Sequence, residues 1–195
     1  MDDIVRRAMA KWPNVPDCYG WLALDARGAW RMRDERAQHL NRAGDKVTQP
    51  KLLDFINRNY AADERGCWYF QNGPQRVFVN LEAAPFIART DPQQGLLLHT
   101  GAPFTNVERG FMTNMGELIL EGTSKLAQVD DRDLAQLLVA LQLDGKAAGD
   151  DALLAWLDGA PGKLCLPYLQ QVVPLERVAA AHVPARFGFQ RAPAP

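Results

Sequence analysis

The chain of 195 residues is 47% hydrophobic and 23% charged, the balance of a folded globular protein, and its length fits one medium domain or two small ones. Its formal net charge of -1 argues against a protein whose affinity rests on neutralising phosphates, which carries a basic excess, and against adhesion to an anionic membrane surface. The three cysteines, Cys18, Cys67 and Cys165, are odd in number, widely spaced and free of any CxxC, so they suggest neither a disulfide framework nor a zinc site and fit a reducing cytoplasm.

The start, Met-Asp-Asp, lacks the apolar run of a signal peptide, and no stretch approaches the roughly 20 apolar residues of a membrane span. Residues 2–12 predict an amphipathic helix with Ile4, Ala8 and Trp12 on one face, ended by Pro13 and Pro16. Residues 1–19 thus form a helical arm that docks on its own domain or on a second subunit. Trp21–Asp25 and Ala29–Arg33 alternate as paired strands, with Asp25-Ala26-Arg27-Gly28 as a type I turn. Asp34–Gly44 is a polar connection with room for a helical turn.

Lys51–Tyr60 predicts a helix capped by Thr48, with Leu52, Leu53, Ile56 and Tyr60 as its buried stripe. A hairpin closing about Asn72-Gly73 would set Trp68 opposite Val77, Phe70 opposite Gln75, Tyr69 opposite Arg76 and Cys67 opposite Phe78. Pro74 has no N–H to close a two-residue turn there, so the loop could widen to four residues. Ala84–Thr90 and Leu96–Leu98 are further apolar runs, separated from the next hairpin, Phe111–Met115 with Glu117–Glu121, by the long loop Thr100–Gly110. Asp130 opens a helix with Leu134, Leu137, Leu138 and Leu141 on one face, ended by Asp144-Gly145, and Asp151–Leu157 is a second. Leu164–Leu169 is a strand that Pro167 assigns to an edge, and Gln190–Pro195 is expected to be a disordered tail.

Two stretches look alike. Lys51-Leu52-Leu53-Asp54-Phe55-Ile56 matches Ala152-Leu153-Leu154-Ala155-Trp156-Leu157, each followed by a Gly, an apolar run with Cys67 or Cys165, and an Ala-rich segment at residues 81–85 or 178–182. The expected architecture is therefore α+β, with two related units of antiparallel strands and a packed helix, at residues 20–95 and 96–189. The stretch Gly44–Ala88, with Gly-Cys-Trp-Tyr-Phe at residues 66–70 and Leu-Glu-Ala-Ala-Pro-Phe at residues 81–86, resembles the bacterial family called domain of unknown function 1285. Lys46 stands where that family tends to have Pro, and Gln49 where it tends to have a basic residue, which makes the chain a distant branch. The resemblance implies an α+β fold with repeated motifs and a role in signalling or ligand sensing; it brings no catalytic residues.

No Walker A, GxGxxG, HExxH, GxSxG or EF-hand pattern occurs. His99, at a strand end beside a loop, is the best-placed histidine for a ligand or a general base. The polar residues Asn106, Glu108, Arg109 and Asn114 follow it, and a pocket there would lie between the two units. Tyr69 and Arg76 offer a ring and a guanidinium that could stack a flat ligand. These seven residues are the candidate ligand set of a non-enzymatic protein that binds a small molecule or a protein partner, with no cofactor and no metal site. One alternative is a hydrolase or transferase using His99 with Cys67 or Glu108. The other is single-stranded nucleic-acid binding by the aromatic face, which the near-neutral charge makes the weaker choice.

Overall fold

The structure, a computed structural model, describes residues 1–122 and 124–195. The chain divides into two compact units, residues 1–83 with 187–195, and residues 84–186.

The first unit contains α1 (Asp3–Lys11), β1 (Cys18–Leu24), β2 (Trp30–Met32), α2 (Glu35–His39), β3 (Asp45–Lys46), α3 (Pro50–Arg58), β4 (Tyr60–Ala62), β5 (Trp68–Asn72) and β6 (Gln75–Leu81). Its sheet runs β3-β2-β1-β6-β5-β4, with β1 and β6 parallel and the other neighbours antiparallel. The first hairpin closes as expected: Gly28 N donates to Asp25 O at 3.0 Å, and Leu24 pairs with Trp30. Pro50 sits in the first turn of α3, where its missing N–H costs nothing. Ile56 is the buried centre of that helix, and Phe55 packs edge-on to Phe70 with ring centroids 5.3 Å apart.

Several expectations are corrected here. In α1 the buried residue is Val5, whereas Ile4 and Trp12 are 67% and 51% exposed; the face runs through Val5, Ala8 and Met9 instead. Thr48 does not cap α3, whose N-cap is Gln49 with no side-chain bond, and Tyr60 leaves the helix to open β4. The second hairpin turns on Gly73-Pro74, pairing Asn72 with Gln75, Gln71 with Arg76, Phe70 with Val77 and Tyr69 with Phe78. That is a slip of two residues, which keeps every side chain on its expected face. Positive φ at Gly73 followed by Pro is the pattern of a type II′ turn, in which the second central residue donates nothing across the hairpin.

The tail is also not loose. Phe189 is buried, Gln190 N donates to Gly66 O at 3.0 Å, and Leu81 N donates to Arg191 O at 2.8 Å.

The second unit contains β7 (Phe86–Asp91), β8 (Gly95–Leu98), β9 (Arg109–Thr113), β10 (Leu118–Gly122), β11 (Lys125–Val129), α4 (Leu134–Leu138), β12 (Gln142–Leu143), β13 (Lys146–Ala147), α5 (Asp150–Leu157), β14 (Leu164–Tyr168), β15 (Gln171–Val178), a 3-10 turn at Ala180–His182 and α6 (Val183–Phe187). The strand order is β13-β12-β14-β15-β9-β10-β11-β7-β8. Ile87, Leu96, Phe111, Leu118, Leu120 and Leu166 are almost wholly buried, each worth about 1.5–3 kcal/mol relative to exposure.

Here the expected long helix from Asp130 shrinks to the five residues of α4, none of them buried. Asp144-Gly145 is not a helix stop but the two-residue turn of the β12–β13 hairpin, with positive φ at both positions as Asp-Gly favours. β14 is not an edge strand, because β12 and β15 flank it; β12 reaches only Leu164 and Cys165, which leaves Pro167 facing a neighbour on one side. The boundary expected at residues 95 and 96 falls at 83 and 84, so β7 and β8 belong to the second unit.

The fold is α+β in two units, and the two share a plan. In each, a hairpin, a helix and a second hairpin follow in order, and the first strand of the first runs parallel to the last strand of the second: β1 beside β6, and β9 beside β15. The matching stretches read from the sequence are α3 and α5. Among the described residues, no helix is long and apolar enough to cross a membrane.

Candidate functional site

On the first unit, Ala23 of β1 pairs with Arg31 of β2 on one side and with Asn80 of β6 on the other. Side chains alternate along strands, so Leu22, Leu24, Trp30, Val79 and Leu81 turn to the core, each at most 3% exposed. Ala23, Arg31, Asn80 and Glu82 take the opposite face. The methyl of Ala23 is too short to fill the space between Arg31 and Asn80. A cavity of about 370 Å³ results, bounded by this rung, by Asp25, Arg33 and Glu82, by residues 41–43, and by Arg191 and Ala192.

Local geometry explains why Arg33 stands in it. Asp34 caps α2 by accepting from Ala37 N at 2.7 Å, and Arg42 N closes the far end onto Ala37 O at 2.8 Å. The chain then turns back tightly at Gly44, where a Cβ would lie 2.3 Å from Met32 O and 2.9 Å from Arg33 Cγ. Only glycine tolerates that approach, and with its φ of +84° it brings residues 41–43 down over Arg33. Arg33 is left 7% exposed, its Nε donating to Arg42 O at 3.0 Å and its Nη2 to Asn41 Oδ1 at 3.4 Å.

The charges do not balance. Arg31 donates through Nε to Asp25 Oδ2 at 2.8 Å, and Asp25 Oδ1 accepts from Arg27 N and Ala29 N. Glu82, exposed at the rim, accepts from Ala26 N at 3.1 Å. Among the described residues, neither Arg33, Arg42 nor Arg191 has a carboxylate partner. Arg33 therefore holds a buried positive charge met only by neutral oxygens, with most of its five N–H donors unspent. A guanidinium fork so placed matches the paired oxygens of a carboxylate or phosphate.

The family model described as "Protein of unknown function (DUF2946)" matches residues 1–194. The chain belongs to that family. No curated protein matches this DUF2946 member. Two crystal structures of DUF1285 family proteins are similar to it at 14% identity. The one from Silicibacter pomeroyi DSS-3 covers 91% of this chain and 97% of its own, with a TM-score of 0.49. The one from Shewanella baltica OS155 covers 57% and 85%, with a TM-score of 0.40. Both are distant likenesses, to the family that Gly44–Ala88 resembles.

The sequence-predicted site residues of the DUF2946 chain do not gather around one cavity. The loop 100–110 lies inside the second unit rather than at a junction. His99 Nδ1 accepts from Ile87 N at 3.2 Å, and its ring lies 5.7 Å from that of Phe86. Asn106 Nδ2 reaches Glu108 Oε1 at 3.4 Å, and Asn106 edges a shallow depression with Leu169 and Gln171. Arg109 pairs with Glu121 at 2.7 Å across β9 and β10, and Asn114 Oδ1 accepts from Ala180 N at 2.8 Å. In the first unit, Arg76 lies over the Tyr69 ring at 4.8 Å and edges a separate cavity with Trp12 and Gln71.

Two chemical alternatives weaken. Tyr69 and Phe78 are buried with Cys67, and Phe78 stacks on Tyr19 at 4.6 Å, so that aromatic face is core rather than a platform for bases. Cys67 is 1% exposed, and burial, reinforced by the nearby Asp63 carboxylate, pushes its thiol up, the reverse of what a nucleophile requires. Among the described residues, no group of three His, Cys, Asp or Glu is placed to hold a metal ion. What sequence reasoning missed is Arg33 and its neighbours. The available signal was Arg31 and Arg33 two apart in the expected strand Ala29–Arg33, and hence on one face, although β2 itself ends at Met32.

Proposed function

We propose that the first unit binds a small ligand through a carboxylate or phosphate group in the arginine-lined cavity, without transforming it. The observation that supports this is Arg33, 7% exposed at the cavity wall with neutral partners only. Desolvating such an ion costs several kcal/mol after relaxation, and a bound anion offsets that cost. Arg31, Arg42 and Arg191 around the same space add field and donors, while Asn80 and Asn41 offer neutral ones.

Thermal melts in sodium phosphate, against sodium chloride at equal ionic strength, test the proposal. A dissociation constant of about 1 mM would stabilise the protein by about 1.8 kcal/mol at roughly 20 mM phosphate. Arg33→Gln should remove that increment. A phosphate effect no larger than that of chloride, or one unchanged in the variant, would overturn the proposal.

A further inference from the structure

The cavity is not closed by the sheet alone. One wall comes from the end of the chain, where Arg191 and Ala192 meet residues that lie more than a hundred positions earlier. Segment 187–195 is held by four features, one of them the buried Pro193. Phe189 is 5% exposed, Gln190 N donates to Gly66 O at 3.0 Å, and Arg191 O accepts from Leu81 N at 2.8 Å. The last bond is at the end of β6, one residue past Asn80 of the cavity floor. Main-chain anchoring at residue 191 therefore fixes where the Arg191 side chain starts.

Gly66 is the seat of this strap. It has φ of +75°, and a Cβ there would stand 1.9 Å from Gly188 O and 3.0 Å from Phe189 Cα, both backbone atoms that cannot swing aside. Glycine at 66 is what allows the strap to lie flat. Beyond these, Gln190 Nε2 reaches Arg65 O at 3.3 Å, and Arg191 is exposed with no ion-pair partner among the described residues. Arg191 lines the cavity with Arg31, Arg33 and Arg42 against the two carboxylates of Asp25 and Glu82, so cations outnumber anions there and the charge balance of the empty cavity works against docking. An anion seated among the arginines reverses that sign.

We infer that Arg191 contacts the bound anion and that anion binding and docking of segment 187–195 are one coupled event; this rests on the anion site proposed above. Linkage is reciprocal: whatever loosens the strap weakens the anion, and the anion tightens the strap by the same factor. Gly66 touches no part of the cavity, so it is the position where coupling separates from direct contact.

The test uses the full chain with inorganic phosphate as the probe. Titration calorimetry should show Arg191→Ala weakening phosphate by about tenfold, the worth of one charge-assisted contact, with Arg191→Lys recovering part of it. Gly66→Ala should weaken phosphate although no cavity residue changes. In the unaltered protein, phosphate should slow hydrogen exchange of the Gln190 and Leu81 amides, a readout that does not depend on any variant folding. If phosphate binds and Arg33→Gln abolishes binding, while Arg191→Ala binds normally or the two amides exchange unchanged, coupling is refuted and the anion site stands. If Arg33→Gln has no effect, the anion site itself is wrong.

Discussion

Arg33→Met separates a guanidinium kept for a ligand from one kept for the fold. Methionine preserves most of the length and removes the charge. The variant loses the Nε donation to Arg42 O at 3.0 Å, and a bond from a charged donor is worth about 1.5–3 kcal/mol. Arg42 is exposed, so water can take over its carbonyl. The 3.4 Å contact to Asn41 is too long to add much. On the other side, the variant no longer holds a largely buried ion, a relief that the guanidinium's access to the cavity keeps close to that loss. The two sums leave the ligand-free protein unchanged or more stable by about 1 kcal/mol, a rise of about 2–4 °C for a chain of this size. Were Arg33 instead one half of a buried ion pair, its removal would strand a charge and cost about 3–5 kcal/mol. Urea unfolding in phosphate-free buffer measures the difference. A loss of about 3 kcal/mol or more would refute the argument that Arg33 lacks a partner, and with it the reason for expecting a ligand.

Two further outcomes probe the second unit. Asp130, 1% exposed, accepts from Arg132 Nε at 2.9 Å and Arg89 Nε at 3.1 Å, and Arg132 foremost holds its carboxyl well below the usual carboxylate range. A depressed folded pKa contributes stability that is present above the unfolded carboxyl value, near about pH 4, and lost as pH falls below it towards the folded one. Asp130→Asn should therefore cost about 2 kcal/mol at neutral pH, and the gap to the unaltered protein should narrow steadily below about pH 4; a gap independent of pH contradicts this. Tyr168→Phe removes a buried hydroxyl that accepts from Leu96 N and donates to Phe104 O, both at 2.9 Å. Denaturant unfolding should register a loss of about 1–3 kcal/mol, and a neutral result would mean that water replaces the hydroxyl.

Much of the fold was legible because it is written in local patterns. The Asp25-to-Gly28 turn, the α3 stripe around Ile56 and the matching α3 and α5 stretches each depend on residues close in sequence. The errors arose where two local signals compete. Asp144-Gly145 serves equally as a helix stop and as a hairpin turn, and only the pairing of Gln142 with Cys165 on a third strand decides for the turn. Gly73-Pro74 displaces Asn72-Gly73 because proline cannot donate across a hairpin, and as the second central residue of the turn it does not have to. The α1 face was misassigned because Ile4 and Val5 are equally apolar; which one is buried follows from Asp2, whose N donates to Asn59 Oδ1 at 2.8 Å and sets the rotation of the helix.

The cavity was not legible in the sequence, for none of the seven expected ligand residues lines it, and the reason lies in what makes a site. His99, Asn106, Glu108, Arg109 and Asn114 were chosen for reactive or polar chemistry crowded into one loop. In the folded chain, Asn114, Arg109 and His99 spend that chemistry on Ala180 N, Glu121 and Ile87 N. Those partners lie outside the loop, on β7, on β10 and just after β15, so it is the fold that uses up these donors and acceptors. Arg31 on β2, Arg33 just beyond it, Arg42 in a loop and Arg191 near the chain terminus are scattered, and their carboxylates are too few. A charge becomes available for a ligand only when the fold withholds its partner, and withholding is a property of the β1–β2–β6 rung and the Gly44 turn together, not of any one stretch.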